Sequence, residues 1–194
     1  MVITIVAFME DTVNIVVERR MIMKTLIAFF SRAGENYVSG ALKQLEVGNT
    51  KVVAQMIQEK TGGDLFQIIP ASKYPDSYNE CINQAKEDQK RNARPALESM
   101  PTDLSGYDEI YLGYPNYWGT MPMAVFTFLE KADLKGKTIK PFCTHEGSGM
   151  GKSEGDIKKL CPDSKVEKGL AIHGTRAANS QSEVDNWIDR MEIK

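Results

Sequence analysis

The sequence predicts an α/β fold: an open parallel sheet with helices packed on both faces, a three-layer sandwich. Three observations point there. Short apolar runs of strand length recur along the chain. They alternate with stretches of helical periodicity. Five such runs follow Met23, with no repeat, linker or low-complexity tract to mark a second domain. At 194 residues the chain can bury one sizeable core.

Each element has its own signal. Lys24 to Phe30 is nearly all apolar, as expected of a strand covered on both faces. Asn49 or Thr50 is expected to cap a helix whose face carries Val52, Val53, Met56 and Ile57, and Gly62 and Gly63 end it. Leu65 to Ile69 reads as the second strand, stopped by Pro70. Residues 71–105 form a polar excursion, with a helix over Asp76 to Arg91 and a loop around Pro95 and Pro101. Glu109 to Gly113 is the third strand. Met123 to Lys131 is a helix with Pro122 near its first turn, where a missing N–H costs little. Thr138 to Thr144 is the fourth strand. Ser153 is expected to cap a short helix bearing Ile157, Leu160 and Cys161. Lys165 to Ile172 is the fifth strand, and Ser180 to Met191 is a closing helix with Val184, Trp187, Ile188 and Met191 on one face.

Residues 1–22 stand apart as an N-terminal extension. The segment lacks a basic region and a small-residue cleavage site, so it does not read as a secretory signal. It reads either as an extra strand or hairpin, or as a start-site artefact with synthesis beginning at Met23 and the domain spanning 23–194.

Composition excludes several classes. A net charge of −2 lacks the basic face of a nucleic-acid binder. No apolar run is long enough to span a bilayer. Cys81, Cys143 and Cys161 form no C-x-x-C pair, which suits a reducing, cytoplasmic compartment. Only His145 and His173 are histidines, so a multi-histidine metal site is not expected.

In open parallel sheets, ligands bind outside the carboxyl ends of the strands. The loops after strands one, three and four are therefore the candidate site. After the first strand come Ser31 and Arg32, and Asn49 and Thr50 open the helix; N–H groups at a helix start together with hydroxyl and amide side chains suit a phosphate, although ordinary capping uses the same residues. This first loop has no G-K-[ST] ending and no G-x-G-x-x-G, so it is neither a triphosphate loop nor a dinucleotide fingerprint. After the third strand, "GYPNYWGTMP" sets Tyr117 and Trp118 among turn residues. They either cover a planar ring or pack on the core or a subunit contact. After the fourth, "THEGSGMGKS" has glycines that let backbone approach a ligand. Together these describe an anion seat beside a flat aromatic slot, which is what a flavin mononucleotide, FMN, requires.

In its motifs "FFSRAGENY…VGNTKVVAQMI", "YPNYWGTMP", "THEGSGMGKS" and "SEVDNWI" the chain resembles the flavodoxin-like family over Met23 to Lys194. The resemblance implies a five-stranded parallel sheet in the order 2-1-3-4-5 and a non-covalent FMN. It implies that Ser31, Arg32, Asn49 and Thr50 hold the phosphate. Pro115, Asn116, Tyr117, Trp118, Gly119 and Thr120 would line the ring and ribityl chain, and Glu146, Gly147, Ser148 and Gly149 would face the ring's other edge. Ala33 to Gly48 departs from the compact family loop as an insertion, which leaves open whether Gly34 and Asn36 or Gly48 and Asn49 touch the phosphate.

The expected function is electron transfer through the flavin, to a redox partner protein or a small-molecule acceptor. An NAD(P)H-dependent quinone reductase is the alternative, because net −2 is weak for a carrier that docks by charge. A non-catalytic flavin-binding or regulatory scaffold is a second alternative. His145 and Glu146 are the candidate catalytic residues. The 71–105 excursion either roofs a substrate pocket or forms a homodimer contact. Cys143 ends an apolar strand and is expected to pack there as a small hydrophobe.

Overall fold

The structure is a computed structural model that describes residues 24–192. Both expectations for residues 1–22 fall outside the described residues. In chain order the elements are β1 (Lys24–Phe29), β2 (Gly34–Val38), β3 (Ala41–Leu45), α1 (Asn49–Thr61), β4 (Asp64–Gln67), α2 (Tyr78–Lys90) and β5 (Tyr107–Pro115). They continue with α3 (Met123–Lys131), β6 (Thr138–His145), α4 (Ser153–Leu160), β7 (Lys165–Val166), β8 (Leu170–His173), a 3-10 turn (Gly174–Asn179) and α5 (Gln181–Glu192).

The main sheet runs β4-β1-β5-β6, with β7 and β8 both paired to β6, and all its pairings are parallel. Counting the main-sheet strands by position along the chain, this is 2-1-3-4-5. The fifth strand is split, where the sequence suggested one run over Lys165 to Ile172. The gap falls opposite Pro141, which supplies no N–H to a ladder. There Gly169 donates instead to Glu154 Oε1 (2.7 Å), and the Lys168 carbonyl accepts from Trp187 Nε1 (3.2 Å).

Alternation along β1 divides the core. Leu26, Ala28 and Phe30 face a cluster with Cys81 and Ala85 of α2, Ala124, Val125 and Phe128 of α3, and Ile157 of α4. Ile27 and Phe29 face Val53, Ala54 and Ile57 of α1, and Val184, Trp187 and Ile188 of α5. Two helical layers thus enclose a sheet buried on both faces, as the apolar strand runs require. A Cβ on Gly113 would collide with the ring of Phe142 on the next strand, so glycine is what lets β5 and β6 pack at that level.

Two caps differ from expectation. The residue that caps α1 is Gly48, with Asn49 and Thr50 already helical, and it lends no side chain. The capping hydroxyl comes from across the loop: Ser31 Oγ accepts from the Lys51 N–H (3.1 Å). Likewise Lys152 precedes α4, while Ser153 is fully buried and accepts a hydrogen bond from the Tyr114 hydroxyl (2.8 Å).

The insertion is an ordered feature. Its strands β2 and β3 pair antiparallel through the two-residue turn Ser39-Gly40, with φ of 53° and 85°. That is the left-handed turn that matches hairpin twist.

Candidate functional site

A cavity of about 420 Å³ opens at the carboxyl ends of β1, β5 and β6. Three expected loops converge on it: Ser31, Arg32, Asn49 and Thr50 from the first, Pro115, Asn116, Tyr117, Trp118 and Gly119 from the second, and His145, Glu146 and Ser148 from the third. Thr120, Gly147 and Gly149 lie outside its lining. The Thr120 side chain is buried and donates to Asp156 Oδ2 (2.7 Å), Gly147 donates its N–H to His145 Nδ1 (2.9 Å), and the Gly149 carbonyl accepts from Asn116 Nδ2 (2.8 Å). They shape the loops behind the wall. Of the pairs the insertion left open, Asn36 and Asn49 both reach the cavity, and Gly34 and Gly48 do not.

At the polar end, Thr50 Oγ1 and Thr144 Oγ1 are 2.8 Å apart and buried. The N–H groups of Asn49 and Thr50 head α1, where no intrahelical acceptor precedes them. Arg32 departs from its expected role. Its guanidinium is committed to the carbonyls of Glu35, Pro75 (2.7 Å) and Asp76, so it ties the hairpin to the loop before α2 instead of presenting a fork to an anion.

The aromatic wall divides between the two alternatives considered for its loop. Tyr117 packs edge-on against Phe30 and Tyr74, at 6.0 and 6.1 Å between ring centroids, and its hydroxyl lies 3.7 Å from Cys81 Sγ. Burial pushes its phenol well above the ordinary range. Trp118 remains 46% exposed. Its φ of 53° is unusual for a bulky residue, the kind of strain that concentrates at functional sites. The ring is held by Nε1 donating to the Ile82 carbonyl (2.9 Å), with Lys86 Nζ 4.9 Å from its centroid.

The hairpin supplies wall that the loops alone did not announce. Tyr37 lines the cavity and stacks on Tyr78 of α2, 6.0 Å between centroids at 24°. Glu35 Oε1 accepts the Tyr78 N–H (2.8 Å), and Ser39 N–H reaches across to Glu146 Oε2 (3.0 Å). The inserted segment is therefore fixed to both sides of the mouth. Tyr78, Ile82, Ala85, Thr144 and Gly174 complete the lining beyond the predicted set. Gly174 had a signal in sequence: it follows the fifth strand, whose carboxyl end borders the same edge.

At the carboxyl ends of β6 and β8, His145 and His173 are register partners with ring centroids 5.5 Å apart. Since Gly147 donates to Nδ1, the neutral His145 ring carries its proton on Nε2. Burial, with His173 beside it, lowers the affinity of His145 for a second proton. Cys143 is buried as expected, its thiol pushed up to about 12 by burial.

Two features bear on what fits. A polar helix entry and a flat aromatic wall both border this cavity. The first suits an anion and the second a planar ring. A phosphorylated ring compound such as FMN combines both. Behind the wall, Glu146 Oε1 is buried without a hydrogen-bond partner.

A family model described as Flavodoxin matches residues 24–191. A candidate flavoprotein crystallised from Bacteroides eggerthii is 29% identical with a TM-score of 0.71, the match covering 88% of this chain and 99% of that one. Another from Bacteroides uniformis is 29% identical with a TM-score of 0.69, covering 86% and 98%. A Lactobacillus acidophilus flavoprotein, crystallised in complex with FMN, shares the fold at 21% identity and a TM-score of 0.61, covering 85% and 98%. No curated protein matches significantly.

Proposed function

The chain belongs to the flavodoxin family, and on that premise we propose that it is a redox protein holding a non-covalent FMN in the cavity at the carboxyl edge of its sheet. The observation that carries this reading is the meeting of the α1 entry and the aromatic wall in one cavity. The FMN complex of the Lactobacillus acidophilus relative supports the choice of flavin. When bound, FMN supplies electron transfer.

The chain's own residues bind, orient and shield. We assign the phosphate to the Asn49 and Thr50 N–H groups and the Ser31 and Thr50 hydroxyls, where the positive end of α1 favours an anion. Trp118 and Tyr37 are assigned to the ring, whose flat faces suit aromatic contact. Asn116 holds its loop by donating to the Gly149 carbonyl and accepting the Gly119 N–H (2.9 Å). The hairpin restricts water at the mouth. His145 offers a neutral Nε2–H at the wall, a hydrogen-bond donor for accumulating negative charge.

An NAD(P)H-dependent quinone reductase is the second reading. The roofing hairpin favours a small acceptor over a docked protein, and net −2 gives little electrostatic steering. The purified protein should show visible flavin absorbance after reconstitution with FMN. Steady NAD(P)H oxidation with a quinone would then select the reductase, and its absence together with reduction by a partner protein would select the carrier. A chain that retains no flavin would leave the scaffold reading.

A further inference from the structure

A line of aromatic and polar side chains leads from the cavity wall into the layer beneath α2. Tyr117 lines the cavity, and its ring meets Phe30 and Tyr74 edge-on, at 6.0 and 6.1 Å between centroids. Buried Tyr74 donates its hydroxyl to Asp88 Oδ2 of α2 (3.3 Å). Asp88 is buried as well, and its Oδ1 accepts from Arg91 Nη2 (2.6 Å), whose side chain is open to solvent. Burial, then the Asp88 carboxylate, push the Tyr74 phenol well above its ordinary range, so the proton stays on the phenol and points at a base. The two rings of the β5 loop have no such base. The Tyr117 hydroxyl faces Cys81 Sγ at 3.7 Å, a thiol that burial keeps uncharged, and Trp118 Nε1 donates to the Ile82 carbonyl. Stability alone does not call for the Tyr74–Asp88 pairing, because apolar groups of the same shape can replace a hydrogen-bonded pair at little cost.

We propose that Tyr74 and Asp88 form a proton-coupled electron relay behind the cavity, in which Tyr74 refills Tyr117 after a one-electron oxidation and Asp88 takes the phenol proton. The physical reason is the cost of a buried positive charge. A phenol that loses an electron and keeps its proton becomes a cation, and at Tyr117 nothing accepts that proton. At Tyr74 the electron and the proton leave together, and the ring stays neutral. The step balances. An oxidant in the cavity takes one electron from Tyr117, Tyr74 returns one electron to Tyr117, and the Tyr74 proton passes to Asp88 Oδ2. The oxidant ends reduced by one electron, Tyr117 is restored, and Tyr74 is a neutral radical beside a protonated Asp88. A soluble one-electron reductant such as ascorbate then refills Tyr74, and Asp88 gives the proton back. Phe30, the other ring against Tyr117, has no phenol and is far harder to oxidise. The relay therefore draws oxidising equivalents off the cavity wall and away from Cys81. Its oxidant rests on the flavin reading, since light absorbed by a bound flavin creates a one-electron oxidant there, while the Tyr74–Asp88 pair stands on contacts within the chain.

The test uses the full-length protein loaded with FMN and excited by a light flash without oxygen. Tyrosyl radical is followed by transient absorption and, after freezing, by electron paramagnetic resonance. Wild type should give a long-lived tyrosyl radical that forms more slowly in heavy water, because a proton moves with the electron. Tyr74→Phe should keep its FMN affinity and lose the long-lived radical, leaving only rapid return of the electron to Tyr117. Asp88→Asn keeps the shape but not the base and should lose it too. If that variant does not fold, Tyr74→Phe and the heavy-water comparison decide. A radical of wild-type yield and lifetime in Tyr74→Phe would overturn the relay. An unchanged rate in heavy water, or a persistent radical in Asp88→Asn, would overturn the part given to Asp88. A wild-type protein that retains no FMN refutes the flavin reading. The relay is then decided on the apoprotein, with photo-oxidised ruthenium tris-bipyridine as the one-electron oxidant, where equal radical lifetimes in wild type and Tyr74→Phe refute it.

Discussion

The two ends of the same strands are built on opposite principles. At the amino ends of β1, β5 and β6, polar groups are paired. Lys24 and Tyr107 both reach Asp64, at 3.2 and 2.7 Å, and Lys137 Nζ donates to the Tyr107 carbonyl (2.7 Å). The Tyr107 hydrogen bond, then Lys24, holds the Asp64 carboxyl below its usual range. Inside that end, buried Lys140 meets Glu109 at 2.6 Å. At the carboxyl ends lie the orphan oxygen of Glu146, the left-handed Trp118 and two exposed aromatic rings, Tyr37 and Trp118. One end is complete by itself. The other carries backbone strain and exposed aromatic rings that a ligand can cover, which is how stability and binding are divided along a single strand.

The sharpest way to break this contrast is at the closed end. Glu109→Ala leaves Lys140 charged and buried, and should cost about 3 kcal/mol in urea denaturation while FMN affinity stays at the wild-type value. Lys140→Met, which removes the charge too, should recover most of that loss. At the open end the signs should separate. Trp118→Gly relieves the φ of 53°, so stability should stay within about 1 kcal/mol of wild type despite the lost bond to Ile82. Flavin affinity should fall roughly tenfold with the aromatic contact. A loss of stability without a loss of affinity would contradict the division.

The smallest effect is in pH. The folded pKa of His145 lies below its ordinary 6.5, mainly through burial. The unfolded chain therefore binds the proton first as pH falls. The His145 contribution is fully present above about 6.5 and is lost as pH falls through the lower folded value. His145→Gln should flatten that acid limb of the stability profile, and an unchanged limb would assign it to other groups.

Much of this was legible in sequence. The all-apolar runs announced strands covered on both faces, and α3 was bounded correctly because Pro122 and its apolar periodicity are local signals. Three loops of unusual composition announced the site, since ligand-binding edges follow from parallel topology. The splitting of the fifth strand was not legible, because it depends on which residue stands opposite Pro141. Nor was the commitment of Arg32 to carbonyls of Glu35, Pro75 and Asp76, the last two more than forty residues away.

By itself the sequence determined the alternation of elements, the two-faced core and the loops that bear the chemistry, because periodicity, capping and turn preferences act over a few residues. Only the tertiary structure decided that Tyr117 turns inward and Trp118 outward, that residues 34–45 fold across the mouth, and that Glu146 stands between Ser39 and Gly174. Those outcomes are set by steric fit and hydrogen bonding between segments far apart in the chain, which no local pattern encodes.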